Sequence, residues 1–224
     1  QIDLPKQELR DLAELAPGVT HALQRLYAAY TEARRGETLV AAQFADRGDG
    51  ARFDANPIER VRDLLEANRN YFPELDQAAE ALRDELNSVH QDLFFALGER
   101  FRERHSSTVR IMPVDVMRET LRRWDRHRRQ LLISELIDLP GRAFQLAFQI
   151  GLAECGPLMD SILNRSGALD DTARRLYRIT LANYFAAAVM MPYQAFHAAA
   201  ESLGYDVHVL GQRFNAGFEQ VCHR

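Results

Sequence analysis

The stretch Arg142–Glu154, Arg-Ala-Phe-Gln-Leu-Ala-Phe-Gln-Ile-Gly-Leu-Ala-Glu, constrains this chain more than any other. It has helical length, and apolar side chains sit on every side of it. Such a helix cannot lie on a surface; it must be enclosed by other elements. Gly156-Pro157 follows and ends it.

Within the stretch, Ala147-Phe148-Gln149-Ile150-Gly151-Leu152 aligns with a motif of known chemistry. A zinc peptidase helix needs His-Glu-x-x-His, with two His at i and i+4 on one face and a Glu beside the first as base. Aligned on the form Ala-His-Glu-x-Gly-His, Phe148 and Leu152 fall on the ligand positions and Gln149 falls on the base. A phenyl ring and an isobutyl group donate no lone pair, and an amide does not shuttle a proton at neutral pH. The expectation is an apolar pocket where a catalytic metal would sit. The seven His residues are scattered, with no pair at i+4, so neither a metal nor catalysis is expected.

The bulk numbers exclude several classes. Of 224 residues, 46% are hydrophobic and 27% charged, which argues for a folded chain rather than a disordered one. A net charge of −4 lacks the footprint of an electrostatic nucleic-acid binder. Two cysteines, Cys155 and Cys222, make no disulfide framework, so a reducing cytoplasm is the expected compartment. The most apolar run, Leu181–Ala200, is broken by Asn183, Pro192, Gln194 and His197 and is not read as a membrane span. A start at Gln1 and a stop within a helical run suggest a fragment of a longer protein.

Taken in order, residues 1–55 read as a helical arm and linker, with leucine stripes at 6–15 and 19–30 and a polar stretch at Asp46–Asp54. The arm either packs on its own domain or dimerises. A helical connector is expected over 56–106. Asn56 caps its first helix, which carries Ile58, Val61, Leu64 and Leu65 on one face. Asn68–Asp76 is a turn, and Ala79, Leu82 and Leu86 line the next helix. Ser88-x-x-Gln91 reads as a capping box before Leu93, Phe94, Leu97 and Phe101. The period then changes from helical to alternating. Strands are expected at Thr108–Met112, with Val109 and Ile111 on one side, at Thr120–Trp124 and at Arg129–Ser134. Asp170 caps a long helix running to about Met191, broken at Pro192. Three short helices split near Gly204 and Asn215 complete a tail resembling a helix-turn-helix.

Arg142–Glu154 and Leu181-Ala-Asn-Tyr-Phe-Ala-Ala-Ala-Val-Met-Met-Pro192 together resemble the ImmA/IrrE metallopeptidase-like domain. In that family the second helix supplies a Glu as third ligand about a turn before the Asn; here those positions are Ile179, Thr180 and Leu181. Asn70–Asp76 and Gly217–Arg224 further resemble the bacterial short-chain fatty acyl transcriptional regulators of the glyoxylate shunt and of propionate catabolism.

The resemblance implies an α+β fold, mostly helical, with a degenerate zincin-like, effector-binding domain over 107–224 that contains a small β-sheet. It implies a non-enzymatic sensor of a short-chain acyl-CoA such as propionyl- or acetyl-CoA, with no cofactor of its own. A DNA-binding helix-turn-helix would precede the chain. A cysteine-containing domain, with an iron–sulfur cluster as one option, would follow it. A homo-oligomer and no membrane contact are expected.

The implied effector site takes Phe148, Gln149 and Leu152 from the first helix and Asn183 and Tyr184 from the second. Arg122 and Arg123 would hold coenzyme A phosphates, whose geometry guanidinium forks match, Tyr71 and Phe72 belong to the same site, and stacking on adenine would use rings such as Tyr71, Phe72, Trp124, Tyr184 and Tyr193. Taken alone, the basic run Arg122–Arg129 also reads as a solvated strand edge or a nucleic-acid patch, and each aromatic also reads as simple core. Two other functions stay open: a residual metal-dependent hydrolase and a ligand-free dimerisation segment.

Overall fold

The computed structural model describes residues 57–87, 92–117 and 120–224. The chain divides into two compact units, Gln1–Asp49 and Gly50–Arg224, and every described residue belongs to the second. The readings of the N-terminal arm, the Asn56 cap and the Ser88–Gln91 box lie outside the described residues.

The described elements run α1 (Pro57–Ala67), α2 (Pro73–Asn87), α3 (Leu93–His105), β1 (Thr108–Met112), β2 (Arg122–Asp125), β3 (Gln130–Ser134), α4 (Leu139–Glu154), α5 (Gly156–Arg165), α6 (Asp171–Met190), α7 (Tyr193–Ser202), α8 (Val207–Phe214) and α9 (Phe218–His223). This is a mostly helical α+β fold. Four helix starts share one device. Asp92, Asp138, Asp170 and Asp206 each sit in extended backbone and accept hydrogen bonds from N–H groups of the first turn. Asn215 closes α8 in the left-handed conformation, and Gly204 takes the same conformation between α7 and α8.

The helix that the others surround is α6. It packs against α1, α2, α4 and α5. Tyr177, Leu181 and Phe185 on α6 are essentially inaccessible. Its closest approach is to α4 at Gly151, where a Cβ would stand 2.6 Å from the Phe185 ring. A core of Ala143, Met190, Met191, Ala199, Ala200, Leu210 and Val221 ties α7–α9 to the starts of α3 and α4, through Leu93, Phe94 and Phe144.

The sheet has the order β1-β3-β2, with β1 parallel and β2 antiparallel to β3. Central β3 is buried on both faces at Leu131–Ser134, as its unbroken Leu-Leu-Ile run requires. Arg129 turns the β2–β3 hairpin at φ 52°, and the Asp125 carboxylate accepts from the Arg128 N–H.

Three side chains sit at the ends of elements. Ile58 is 58% exposed in the first turn of α1, whose buried residue is Val61. Ile111 is 38% exposed near the end of an edge strand. Cys155 is the buried joint between α4 and α5, and burial pushes its thiol up to about 11, which keeps it protonated.

Candidate functional site

Strand alternation places Arg122 and Trp124 on the face of the sheet that meets the helices, and Arg123 on the other. Arg122 pairs opposite Ile133 and Trp124 opposite Leu131, both wholly buried. Trp124 rests on Phe101 of α3, with ring centroids 5.7 Å apart. Arg122 rests on α4. Its guanidinium carbon lies 4.2 Å from the centre of the Phe148 ring, and Nη1 donates to Gln149 Oε1 at 3.3 Å.

The structure therefore brings together three residues that the sequence placed in one site, and it changes their relation. The two positions that would carry the first metal ligand and the base are not bare apolar lining. A guanidinium covers both. Phe148 is 3% exposed beneath it, and Gln149 is buried; Leu152, one turn on, is half-buried. These side chains do not fit a metal ion. The phenyl and isobutyl groups offer no donor, the third-ligand positions on α6 are Ile179, Thr180 and Leu181, and the Thr180 hydroxyl already donates to the Leu176 carbonyl. Among the described residues no group of three or more His, Cys, Asp or Glu could hold a metal ion.

Arg122 has no carboxylate partner among the described residues; one amide oxygen and one ring are its contacts. Burial pushes its pKa down to about 10, so it stays charged at neutral pH. A cation–π contact contributes about 0.5–2 kcal/mol, and a hydrogen bond to a charged group about 1.5–3 kcal/mol. Withdrawing an ion from water costs several kcal/mol. Arg122 keeps part of its surface exposed, and four of its five guanidinium N–H donors have no acceptor among the described residues.

The remaining predicted residues fall elsewhere. Arg123 is exposed on the opposite face. Phe72 and Tyr184 form a second cluster on the far side of α6, with ring centroids 5.1 Å apart. Tyr184 Oη donates to Asp76 Oδ2 at 2.5 Å and accepts from the Phe72 N–H at 3.2 Å. Burial, reinforced by the bond to Asp76, pushes its hydroxyl up to about 12. Arg224 completes the cluster. Its Nη2 donates to Asp76 Oδ1 at 2.5 Å, and its Nε donates to the Met191 carbonyl at 2.8 Å. Tyr71 lies beside Tyr193 at the exposed rim, and Asn183 is half-buried on α6.

Asp76 and Arg224 were not among the predicted site residues. A signal for Asp76 existed: Phe72, Leu75, Asp76, Ala79 and Leu82 share one buried helical stripe, and a carboxylate inside it needs a partner. A third cluster joins α2, α3 and α4. Arg100 makes a two-pronged bond to Glu154 and a further bond to Glu85, while His105 Nε2 lies 2.9 Å from Glu154 Oε1. Next to it a groove of about 280 Å³ is lined by Glu85, Leu86, Ala96, Glu99, Arg100, Glu103 and Arg104. Its walls mix both charges and lie apart from Phe148.

The zincin-like helix, the adjoining sheet and the Met-Pro helix, without the donors or the base, define a metallopeptidase-type domain that has lost the means of holding a metal. Residues 102–224 match the family model of the IrrE N-terminal-like domain, a peptidase family, and the chain belongs to that family. It is also similar to named regulators. It is 40% identical over 169 residues to the HTH-type transcriptional regulator PrpR of Mycobacterium tuberculosis, covering 75% of this chain and 34% of PrpR. It is 32% identical over 227 residues to RamB of the same organism, covering all of this chain and 47% of RamB. It is 31% identical over 220 residues to a propionyl-CoA carboxylase regulator of Cereibacter sphaeroides, covering 98% of this chain and 46% of the relative. A solved structure of a Mycobacterium tuberculosis transcriptional regulator matches with a TM-score of 0.72 at 39% identity, over 76% of this chain and 51% of that one. The chain thus spans under half the length of each of these three regulators.

Proposed function

We propose that this domain is the effector-sensing part of a transcriptional regulator and binds a short-chain acyl-coenzyme A at the former metallopeptidase centre without catalysing a reaction. One observation carries the reading: the fold keeps its peptidase-type core, while Phe148, Gln149 and Leu152 stand where donors and base would be and the Arg122 guanidinium covers Phe148 and Gln149. The names of the relatives support it, since two are HTH-type transcriptional regulators and the third is a propionyl-CoA carboxylase regulator. An unpaired guanidinium beside an apolar ring suits a ligand that carries both polar oxygens and a short alkyl group.

By linkage, such a ligand alters DNA affinity only as far as it prefers one conformation of the sensor over another. Thermal unfolding with acetyl-, propionyl- and butyryl-CoA tests the binding. At ligand near a hundred times the dissociation constant, the stabilisation is about 2.7 kcal/mol. An unchanged melting temperature with all three removes the sensor reading.

A further inference from the structure

In a zinc hydrolase the cation does two jobs: it polarises a carbonyl oxygen, and it activates a water that a neighbouring base deprotonates. A guanidinium can do the first and not the second. We infer that Arg122 has taken over the carbonyl-holding half of that chemistry: its guanidinium receives the thioester carbonyl oxygen of the bound acyl group, whose alkyl carbons lie against Phe148. This rests on the acyl-CoA reading above and names the group that reads the acyl end.

Three observations on this chain point there. Arg122 meets an uncharged amide at 3.3 Å and a ring at 4.2 Å, and its remaining N–H donors have no acceptor among the described residues. Arg123, its neighbour, is exposed on the other face, so this side of the strand presents one fork and not a two-guanidinium phosphate clamp. The cation lies directly over Phe148, so any group that packs on that ring meets the guanidinium as well. Arg122 and Phe148 thus form one acyl subsite in this reading rather than separate phosphate and acyl subsites.

The arrangement also explains why a hydrolase fold can hold a thioester and return it intact. Gln149 occupies the base position, and its amide accepts the guanidinium N–H, which keeps the fork aimed across Phe148. It takes no proton from water, and the side chains in the ligand positions hold no ion that would lower the pKa of that water. The effector is bound and released unchanged, as a sensor of metabolite level requires.

The test is titration calorimetry of the 224-residue chain with three ligands: propionyl-CoA, free coenzyme A, and S-propyl-coenzyme A, a thioether in which a methylene replaces the carbonyl. The wild-type chain is expected to prefer propionyl-CoA to the thioether by about tenfold or more, the range of a hydrogen bond to a charged group. Arg122→Met keeps the apolar stem and is expected to abolish that preference while leaving thioether affinity within about twofold. Equal wild-type affinity for thioester and thioether overturns the inference without any variant being made. So does an equal loss for all three ligands in Arg122→Met, which would assign the guanidinium to a phosphate. Release of free thiol from propionyl-CoA by the wild-type chain overturns the claim of holding without hydrolysis. Failure of the wild-type chain to bind any of the three overturns the acyl-CoA reading itself, and the inference with it.

Discussion

Phe185 of α6 lies in the space a side chain at Gly151 would need, with its Cδ1 2.6 Å from the position of a Cβ there. Gly151 falls inside the motif segment of α4, three residues from Phe148. The helix bearing the former metal positions is thus held in place by close backbone approach to the central helix. Gly151→Ala is expected to destabilise the domain by about 1–3 kcal/mol, because overpacking a filled core outweighs the roughly 1 kcal/mol that alanine gains in helix propensity. Urea unfolding measures this, and a variant as stable as wild type would show that α4 and α6 separate readily.

Asp76 and Arg224 form a buried pair, with side chains 7% and 3% exposed. Removing one member strands the other charge. Asp76→Asn is expected to cost about 3–5 kcal/mol, and an Asp76→Leu, Arg224→Met double variant is expected to recover part of that loss. Tyr184→Phe removes one bond to the same carboxylate and is expected to cost about 1–2 kcal/mol. Denaturant midpoints for the set test the pairing; additive losses in the double variant would refute it.

Glu154 couples stability to pH. Burial raises its pKa, but bonds from Arg100 and His105 outweigh burial, and the carboxyl ends below its ordinary value of 4.5. A carboxyl that binds protons more weakly when folded stabilises the fold fully above its unfolded pKa, and that contribution is lost as pH falls through the folded value. Stability is therefore expected to fall below about pH 4.5. Glu154→Gln is expected to lower stability at pH 7 and to make the acid limb shallower. Identical acid limbs in urea titrations would assign that limb to other groups.

The donor set at α4 makes a clear statement about metals. After incubation with zinc chloride and desalting, the protein is expected to carry far less than one zinc per chain, since Phe148 and Leu152 offer no lone pair and Arg122 places positive charge beside them. Elemental analysis decides it; one equivalent of zinc would revive the metalloprotein reading.

Chain-length selectivity follows from how the ligand's alkyl end is bounded. One methylene is worth about 0.8 kcal/mol on burial, or roughly fourfold in affinity. If the ring of Phe148 is a flat wall, acetyl-, propionyl- and butyryl-CoA are expected to differ by about that step each. A sudden loss at one length, reaching roughly 10–200-fold, would mark a steric floor. Melting shifts across the three ligands separate a ramp from a cliff.

Much of the fold was legible because its signals are local. The cap at Asp170 and the breaks at Pro192, Gly204 and Asn215 depend on bonds spanning five residues or fewer, and the strand signals, alternation at Thr108–Met112 and an apolar run at Gln130–Ser134, are written in adjacent side chains. The residue types at the former metal positions were equally legible, because Phe148, Gln149 and Leu152 are defined by their spacing on one helix.

By itself, then, the sequence determined the helical runs from α1 to α9, three strands and the residue types at the former metal positions. Tertiary structure alone decided that Arg122 covers Phe148 and Gln149, and that Tyr184 serves Asp76 and Arg224. Gln149 and Arg122 are 27 positions apart, and Asp76 and Arg224 are 148 apart. Periodicity tells a side chain which way to face. Which distant side chain it meets depends on how the chain closes around α6, where buried charges and amides take the partners that packing brings within reach.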